Sequence, residues 1–283
     1  MLTRVGEKLL RAERGLREAV EPAIEAAAFE FHQHINGVAA SSQEVVRFSG
    51  TSDASMEAFT DALANSQASV ALDTVTCGAI DGLICLHERH ADLAGFHVSP
   101  VHKAGTRLQH LFKPWLKSAD VRLIRVSWRE QGLMIRPAKA GAVRGLGDLV
   151  ARRVRFLNRQ RSSATRILFD QVLADQGIFP HQISGYESYA HSNMDVAQSI
   201  REGAADAGFG QRATAESAGL RFIPLTREAY YLALRTADCV TPWAVELLDL
   251  LGTEAVAERI RQIPGYEPEP AQRLMPLQEA LPW

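Results

Sequence analysis

Nine consecutive residues, Asn158, Arg159, Gln160, Arg161, Ser162, Ser163, Ala164, Thr165 and Arg166, hold three arginines and three hydroxyls. The block lies between a short apolar run (154–157) and an amphipathic run with its body at 167–176. A strand is therefore predicted to turn directly into a helix. A helix N-terminus leaves backbone N–H groups unpaired and carries about half a positive charge. It is a natural receptor for a small anion or carboxylate. Ser162, Ser163 and Thr165 can add hydroxyl donors, and Arg159, Arg161 and Arg166 add positive charge. The same residues would equally make an ordinary N-cap with solvated arginines.

Further turns repeat this chemistry. Ser49, Thr51 and Ser52 follow one strand-like run, Thr76 follows a second, and His97 ends a third. Arg129 and Gln131 lie where a long strand could pass from one lobe to another. A guanidinium fork there matches a carboxylate or oxyanion bidentately. Tyr189 and His191 could close over a ligand. Each feature alone is common turn chemistry, but their convergence predicts a binding cleft. Catalysis would need a nucleophile–base pair, and Cys77 with His97 is the one candidate in the sequence. Binding without catalysis is the expectation. His87, His90, His97 and His102 lack a completing ligand set, so neither a metal nor a cofactor is expected.

The elements that must position these residues alternate. Strands are predicted at 45–48, 69–75, 93–98, 121–128, 133–135, 154–157, 207–210, 221–224 and 230–235. Helices are predicted at 55–65, 79–90, 108–115, 147–152, 164–176, 193–202, 211–218 and 243–251. Such alternation implies an α/β fold of mostly parallel sheets covered by helices, in which ligands collect at the carboxyl ends of strands. Residues 5–31 carry an amphipathic stripe interrupted by Pro22. That pattern predicts a long helix that buries its apolar face against a second copy of the chain, the alternative being packing against its own domain.

The 283 residues are 46% hydrophobic and 23% charged, with a net charge of −2. Bulk electrostatics therefore call for neither nucleic acid nor an anionic membrane. Three cysteines without paired spacing fit a reducing compartment and buried thiols. The first thirty residues lack a secretory signal pattern, so a cytoplasmic location is expected.

Two resemblances extend this reading. Residues 45–266 resemble the periplasmic-binding-protein-like domain of cytoplasmic molybdate-responsive and related regulators. The resemblance rests on 91–100 (ADLAGFHVSP), 128–137 (WREQGLMIRP), 154–178 (VRFLNRQRSSATRILFDQVLADQGI), 185–187 (GYE), 200–210 (IREGAADAGFG) and 220–234 (LRFIPLTREAYYLAL). It implies a two-lobed type II periplasmic-binding-protein-like fold. Lobe one would hold 45–128 and 231–270, lobe two 129–230, with hinge strands at 126–135 and 225–234 and a tail at 271–283. The cleft would be lined by Ser49, Thr51, Ser52, Thr76 and His97 from one side. From the other it would be lined by Arg129, Gln131, Arg161, Ser162, Ser163, Thr165, Tyr189 and His191. Molybdate or tungstate is the implied ligand. Ser162 and Ala164 stand where that family's block carries glycines, so sulfur oxyanions and small carboxylates stay open.

Residues 2–10 (LTRVGEKLL) are similar to the LTxxGxxLL signature that closes the winged helix-turn-helix of LysR-type regulators and opens their linker helix. By that resemblance residues 1–36 form a linker and dimerisation helix and 37–44 a linker. The chain would be the sensing and dimerisation part of a transcriptional regulator, a homodimer or tetramer. DNA contact is expected only through a winged helix upstream of Met1. The alternative is a stand-alone solute-binding protein for an oxyanion.

Overall fold

The computed structural model describes residues 43–100, 105–116, 120–139, 141–151, 154–161, 163–270 and 273–281. The predicted N-terminal helix, most of its linker, and Ser162 lie outside the described residues. The chain divides into residues 1–45 and residues 46–283, and the architecture below is that of the second unit.

Among the described residues, nine strands form one continuous ladder, in the order β2-β1-β3-β8-β4-β7-β5-β6, with β9 added on β4. They are β1 (Glu44–Gly50), β2 (Val70–Thr76), β3 (Leu93–Val98), β4 (Val121–Ile135), β5 (Phe156–Arg159), β6 (Tyr189–Ala190), β7 (Ala207–Gln211), β8 (Arg221–Arg235) and β9 (Tyr266–Pro268). The helices are α1 (Ala54–Ala64), α2 (Ala79–His87), α3 (Arg107–Phe112), α4 (Leu146–Ala151) and α5 (Ala164–Asp175). They continue with α6 (Asn193–Arg201), α7 (Arg212–Ser217), α8 (Pro242–Leu251), α9 (Glu254–Arg261) and α10 (Leu277–Ala280).

Two strands carry the whole design. β4 and β8 pair antiparallel from Val121↔Arg235 to Ile135↔Arg221. In one lobe β8 joins β3, in the other β4 joins β7, and β9 pairs with the middle of β4 at Ser127–Arg129. The sequence showed each of these strands as two short pieces, because both turn polar midway. The expectation of mostly parallel sheets is corrected, because the two long crossing strands run antiparallel to each other and to their neighbours. β1–β3, β5–β7 and β5–β6 are parallel, while every described pair involving a crossing strand is antiparallel. β9, α9, α10 and the two-residue β6 were not anticipated.

Side chains alternate across the sheet, as strand geometry requires, so each lobe has a core on both faces. In lobe one, Ile124, Val126, Tyr230, Leu232 and Leu234 face α1 and α8 with Phe59 and Trp243. Leu123, Tyr231 and Ala233 face the opposite core with Phe96, Leu83 and Phe112. In lobe two, Leu133, Ile135, Phe156 and Phe209 pack on Phe169 of α5. Met134 points the other way, to Val196 and Ile200 of α6. Each fully buried side chain of this size contributes about 1.5–3 kcal/mol.

The ladder shifts register between Gln131 and Gly132 of β4. A Cβ on Gly132 would lie 2.0 Å from the Ile223 carbonyl oxygen. Glycine is what lets the crossing strands approach at that step.

Candidate functional site

Register fixes where the strand ends fall. His97 lies opposite Tyr230, and Tyr230 opposite Ser127, so β3 ends beside the crossing. In lobe two, Gln131 lies opposite Gln211 at the carboxyl end of β7. β5 runs parallel to β7 and ends level with it. The carboxyl ends of strands from both lobes therefore converge on the crossing, and helices begin there on both sides.

On the lobe-one side, β1 leads into α1, whose N-cap is Asp53. Asp53 is 3% exposed and accepts from five donors. Oδ1 takes the Ser55 amide (2.9 Å) and hydroxyl; Oδ2 takes His97 Nε2 (2.9 Å), Arg129 Nη1 (3.0 Å) and the Tyr266 hydroxyl (3.0 Å). Arg129 also donates Nε and Nη2 to Glu228 Oε2, at 3.2 and 2.8 Å, and Gln131 Nε2 donates to the same oxygen at 2.7 Å. Arg129 and Glu228 face each other directly in the β4–β8 register.

The electrostatics follow from these contacts. Burial alone would raise the Asp53 carboxyl, but the His97 hydrogen bond and the nearby Arg129 charge hold it far below the usual carboxylate range. Burial likewise opposes the Glu228 charge, and Arg129 outweighs it, so Glu228 is also held low. His97 is pushed down, first by burial and then by Arg129, against the pull of Asp53 and Glu228. A neutral His97 fits the geometry: Nε2–H donates to Asp53 and Nδ1 accepts from the Thr51 hydroxyl at 3.1 Å. Two carboxylates then share one guanidinium.

Arg129, the first sequence choice for ligand contact, is thus 7% exposed and committed to internal acids. Gln131 is fully buried and braces Glu228, and its Oε1 has no hydrogen-bond partner. His97 has both ring nitrogens engaged, which removes it as a base for Cys77. Ser49 is buried, and its hydroxyl meets the Cys85 thiol. Thr51 is half-buried, while Ser52 and Thr76 are exposed where α1 and α2 begin. The three cysteines are half-buried rather than buried.

On the lobe-two side, β5 begins two residues later than predicted and runs through Asn158 and Arg159, which pair with Tyr189 and Ala190 of β6. Arg161 sits on the surface and pairs with Glu187 at 2.8 Å. Arg166 is buried, bonds Asp170 at 3.1 Å, and stacks over the Tyr186 ring at 3.8 Å. Arg159 differs from both. It donates Nη1 to Asn193 Oδ1 (2.6 Å) and Nη2 to the His191 carbonyl (2.8 Å), both neutral acceptors. Its buried Nε has no partner among the described residues, and burial lowers its pKa, outweighing the opposing pull of Asp195. Among the described residues, no carboxylate lies within ion-pair distance of Arg159.

Helix ends add to that positive field. α6 begins at Asn193, behind a Ser192–Asp195 capping box. α5 begins after Ser163, whose hydroxyl does not cap it. Ser163 is half-buried and Thr165 buried. His191 is exposed, with Nδ1 at 2.9 Å from Gln160 Oε1, and exposed Tyr189 meets it edge-on at 5.7 Å. The resemblance put Arg161 in the cleft lining, although Arg159 and Arg161 stand in the same basic run. Only the folded contacts reveal which guanidinium lacks an acid.

A separate hollow of about 530 Å³ lies in lobe one, lined by Leu86, His87, Trp115 and Arg235 among others. It opens where β4 begins and β8 ends, roughly 25 Å along the strand from the crossing.

Comparison with known proteins agrees with this architecture. The chain is 26% identical over 190 residues to the uncharacterized protein YvgK of Bacillus subtilis, covering 67% of this chain and 61% of YvgK. The chain therefore spans about three fifths of that relative's length. The fold is similar to an ABC-type phosphate transport receptor from Vibrio cholerae, with TM-score 0.58, 13% identity, and 80% of this chain and 100% of that one covered. It is also similar to the regulatory domain of MetR, a LysR family regulator from N. meningitidis. There the TM-score is 0.52 and the identity 15%, with 80% of this chain and 98% of that one covered. The family model for the PBP superfamily domain matches residues 60–252, well over half the sequence, and the chain belongs to that family.

Proposed function

We propose that this chain binds a small anion between its two lobes and acts as the ligand-sensing and dimerisation part of a LysR-type or molybdate-regulator-like transcriptional regulator. The observation that carries the binding is Arg159, a half-buried guanidinium with neutral acceptors only, set beside the N-termini of α5 and α6. A positive charge that has lost solvent without gaining an acid is stabilised by an incoming anion. Ser163, Thr165, Gln160 and His191 border it from lobe two. Thr51, Ser52 and Thr76 meet the anion from lobe one, where α1 and α2 begin. Arg129, Gln131 and His97 hold the crossing strands in place rather than touching the ligand.

An anion contacted by both lobes favours the closed arrangement by its differential affinity for the two states. In a dimer, closure would change the spacing of paired DNA readers. The LysR-type regulatory domain among similar folds supports this reading. The purified chain, at net charge −2, is expected not to bind operator DNA, and to bind its ligand without turning it over.

A thermal-shift screen of phosphate, molybdate, tungstate, sulfate and small carboxylates tests the anion site. A ligand at one hundred times its dissociation constant adds about 2.7 kcal/mol of stability. That gain should vanish in Arg159→Gln. Sedimentation tests the regulatory assembly: a dimer or tetramer is expected, and a monomer that binds the anion tightly would instead favour a stand-alone solute-binding protein.

A further inference from the structure

The lobe-one side of the anion site carries an unbalanced charge. Asp53 and Glu228 are buried carboxylates, and Arg129 is the guanidinium that bridges them. With His97 neutral, this cluster holds one net negative charge. Asp53 caps α1 and directly follows Thr51 and Ser52 in sequence, so the charge stands where an anion arrives and opposes it. Two further groups face His97 from the neighbouring strands. The Tyr230 ring of β8 lies 4.7 Å from the imidazole, and the Tyr266 hydroxyl of β9 shares Asp53 Oδ2 with it. Burial raises both phenols, so each stays neutral. Asp53 and Glu228 are held low, and a guanidinium keeps its proton. His97 is thus the member of the cluster able to change charge near neutral pH.

Its protonation also reverses a hydroxyl. A carboxylate can only accept, so His97 Nε2 keeps its hydrogen on Asp53 in either state. The change therefore falls on Nδ1, which stands 3.1 Å from the Thr51 hydroxyl. Against a bare Nδ1, Thr51 directs its hydrogen inward and leaves its lone pairs toward the cleft, where they repel an anion. Against Nδ1–H, the Thr51 oxygen becomes the acceptor and its hydrogen is released to turn outward. The competing internal acceptor, the Gly95 carbonyl, is 3.4 Å away and already takes the Thr51 amide at 3.0 Å. Charge and hydrogen-bond polarity therefore change in the same direction.

We propose, resting on the anion reading above, that anion binding between the lobes is coupled to uptake of a solvent proton by His97, with Thr51 as the positioning residue that relays the change. The coupling is reciprocal: the anion draws the proton onto Nδ1, and acidification tightens the anion. In the free protein, burial and Arg129 hold His97 below its ordinary value, so affinity rises as pH falls.

The test is isothermal titration of the full chain with sulfate, molybdate and benzoate, whose own charge is constant between pH 8 and pH 6. Affinity for the anion that binds should rise by about fivefold across that range, the lower end of coupling between sites. The binding heat should also depend on the buffer's ionisation enthalpy with the sign of proton uptake. The rise should disappear in His97→Gln and shrink by about half or more in Thr51→Val, which keeps the titrating ring and removes its relay. It should persist in His191→Gln, which removes the exposed histidine of lobe two. Proton uptake and Thr51→Val decide the matter even where His97→Gln fails to fold. Binding that is lost in Arg159→Gln yet equal at both pH values, without proton uptake, would overturn the coupling and leave the anion site standing. A rise abolished in His191→Gln and unaltered in Thr51→Val does the same. Failure of all three probes to bind, or binding indifferent to Arg159→Gln, overturns both readings.

Discussion

Replacing Asp53 by asparagine tests the network that joins the lobes. The change keeps shape and volume but converts one acceptor oxygen into an NH₂ donor. If that NH₂ takes the Oδ2 position, it confronts three donors: His97 Nε2, Arg129 Nη1 and the Tyr266 hydroxyl. If it takes the Oδ1 position, it confronts the Ser55 amide and hydroxyl, and α1 loses its cap. Neither orientation satisfies the site. Removing one member of a buried ion pair typically costs about 3–5 kcal/mol. Glu228 still neutralises Arg129, which argues for the lower half of that range, and a lost cap adds about 1 kcal/mol. A loss of about 3–5 kcal/mol is therefore expected, a large share of the roughly 5–15 kcal/mol that holds a domain together. Urea unfolding followed by tryptophan fluorescence measures it, since Trp243 lies in the same lobe-one core as Tyr230 and Tyr266. A loss under about 1 kcal/mol would refute the claim that Asp53 organises the crossing. Arg161→Gln, which removes a solvent-exposed pair, should leave the midpoint unchanged in the same assay.

The network also sets the pH response. His97 is held below its ordinary value in the fold, so the unfolded chain binds its proton first and stability should fall as pH drops below about 6.5. Asp53 and Glu228 are held low as well. Their contribution is present above the usual carboxylate range and is lost as pH falls through about 4 toward the folded values. Urea midpoints from pH 8 to 5 should slope downward in the wild type and flatten in His97→Gln; a flat wild-type profile contradicts a buried neutral histidine. Arg159→Gln should leave the ligand-free melting temperature unchanged or raise it, because the guanidinium is desolvated without an acid; a clear drop would mean Arg159 is structural. Gly95→Ala should destabilise by about 1–3 kcal/mol or more. A Cβ there would lie 2.1 Å from the Tyr230 hydroxyl, which donates to the Thr51 carbonyl at 3.1 Å. Urea titration checks that figure, and wild-type stability would refute the packing argument.

Much of the fold was legible because it is local. Strand–helix alternation, the turn into α5 and the polar strand ends all follow from residues close in sequence. The crossing strands were harder to read. Arg129 and Glu228 interrupt apolar runs, and their pairing joins positions 99 residues apart. Nothing along the chain announces that these two charges neutralise each other. The same blindness explains the site. Arg129, Arg159, Arg161 and Arg166 are alike as residue types, yet Asp53 with Glu228, Glu187, and Asp170 claim three of them. Arg159 was distinguished only by what failed to arrive beside it. β6 escaped notice because two residues are too short to show a period, although that edge sets the end of β5.

Because β4 and β8 remain hydrogen-bonded to each other through the crossing, lobe movement has no single swivel point available. A two-stranded ribbon yields most easily by winding or unwinding about its own length, and the register steps at Arg125/Ser127 and Gln131/Gly132 are where that torsion is cheapest. Rotation of one lobe against the other is then geared to the ribbon's coil, small in angle and spread over several residues, a twist rather than a gap opening or closing.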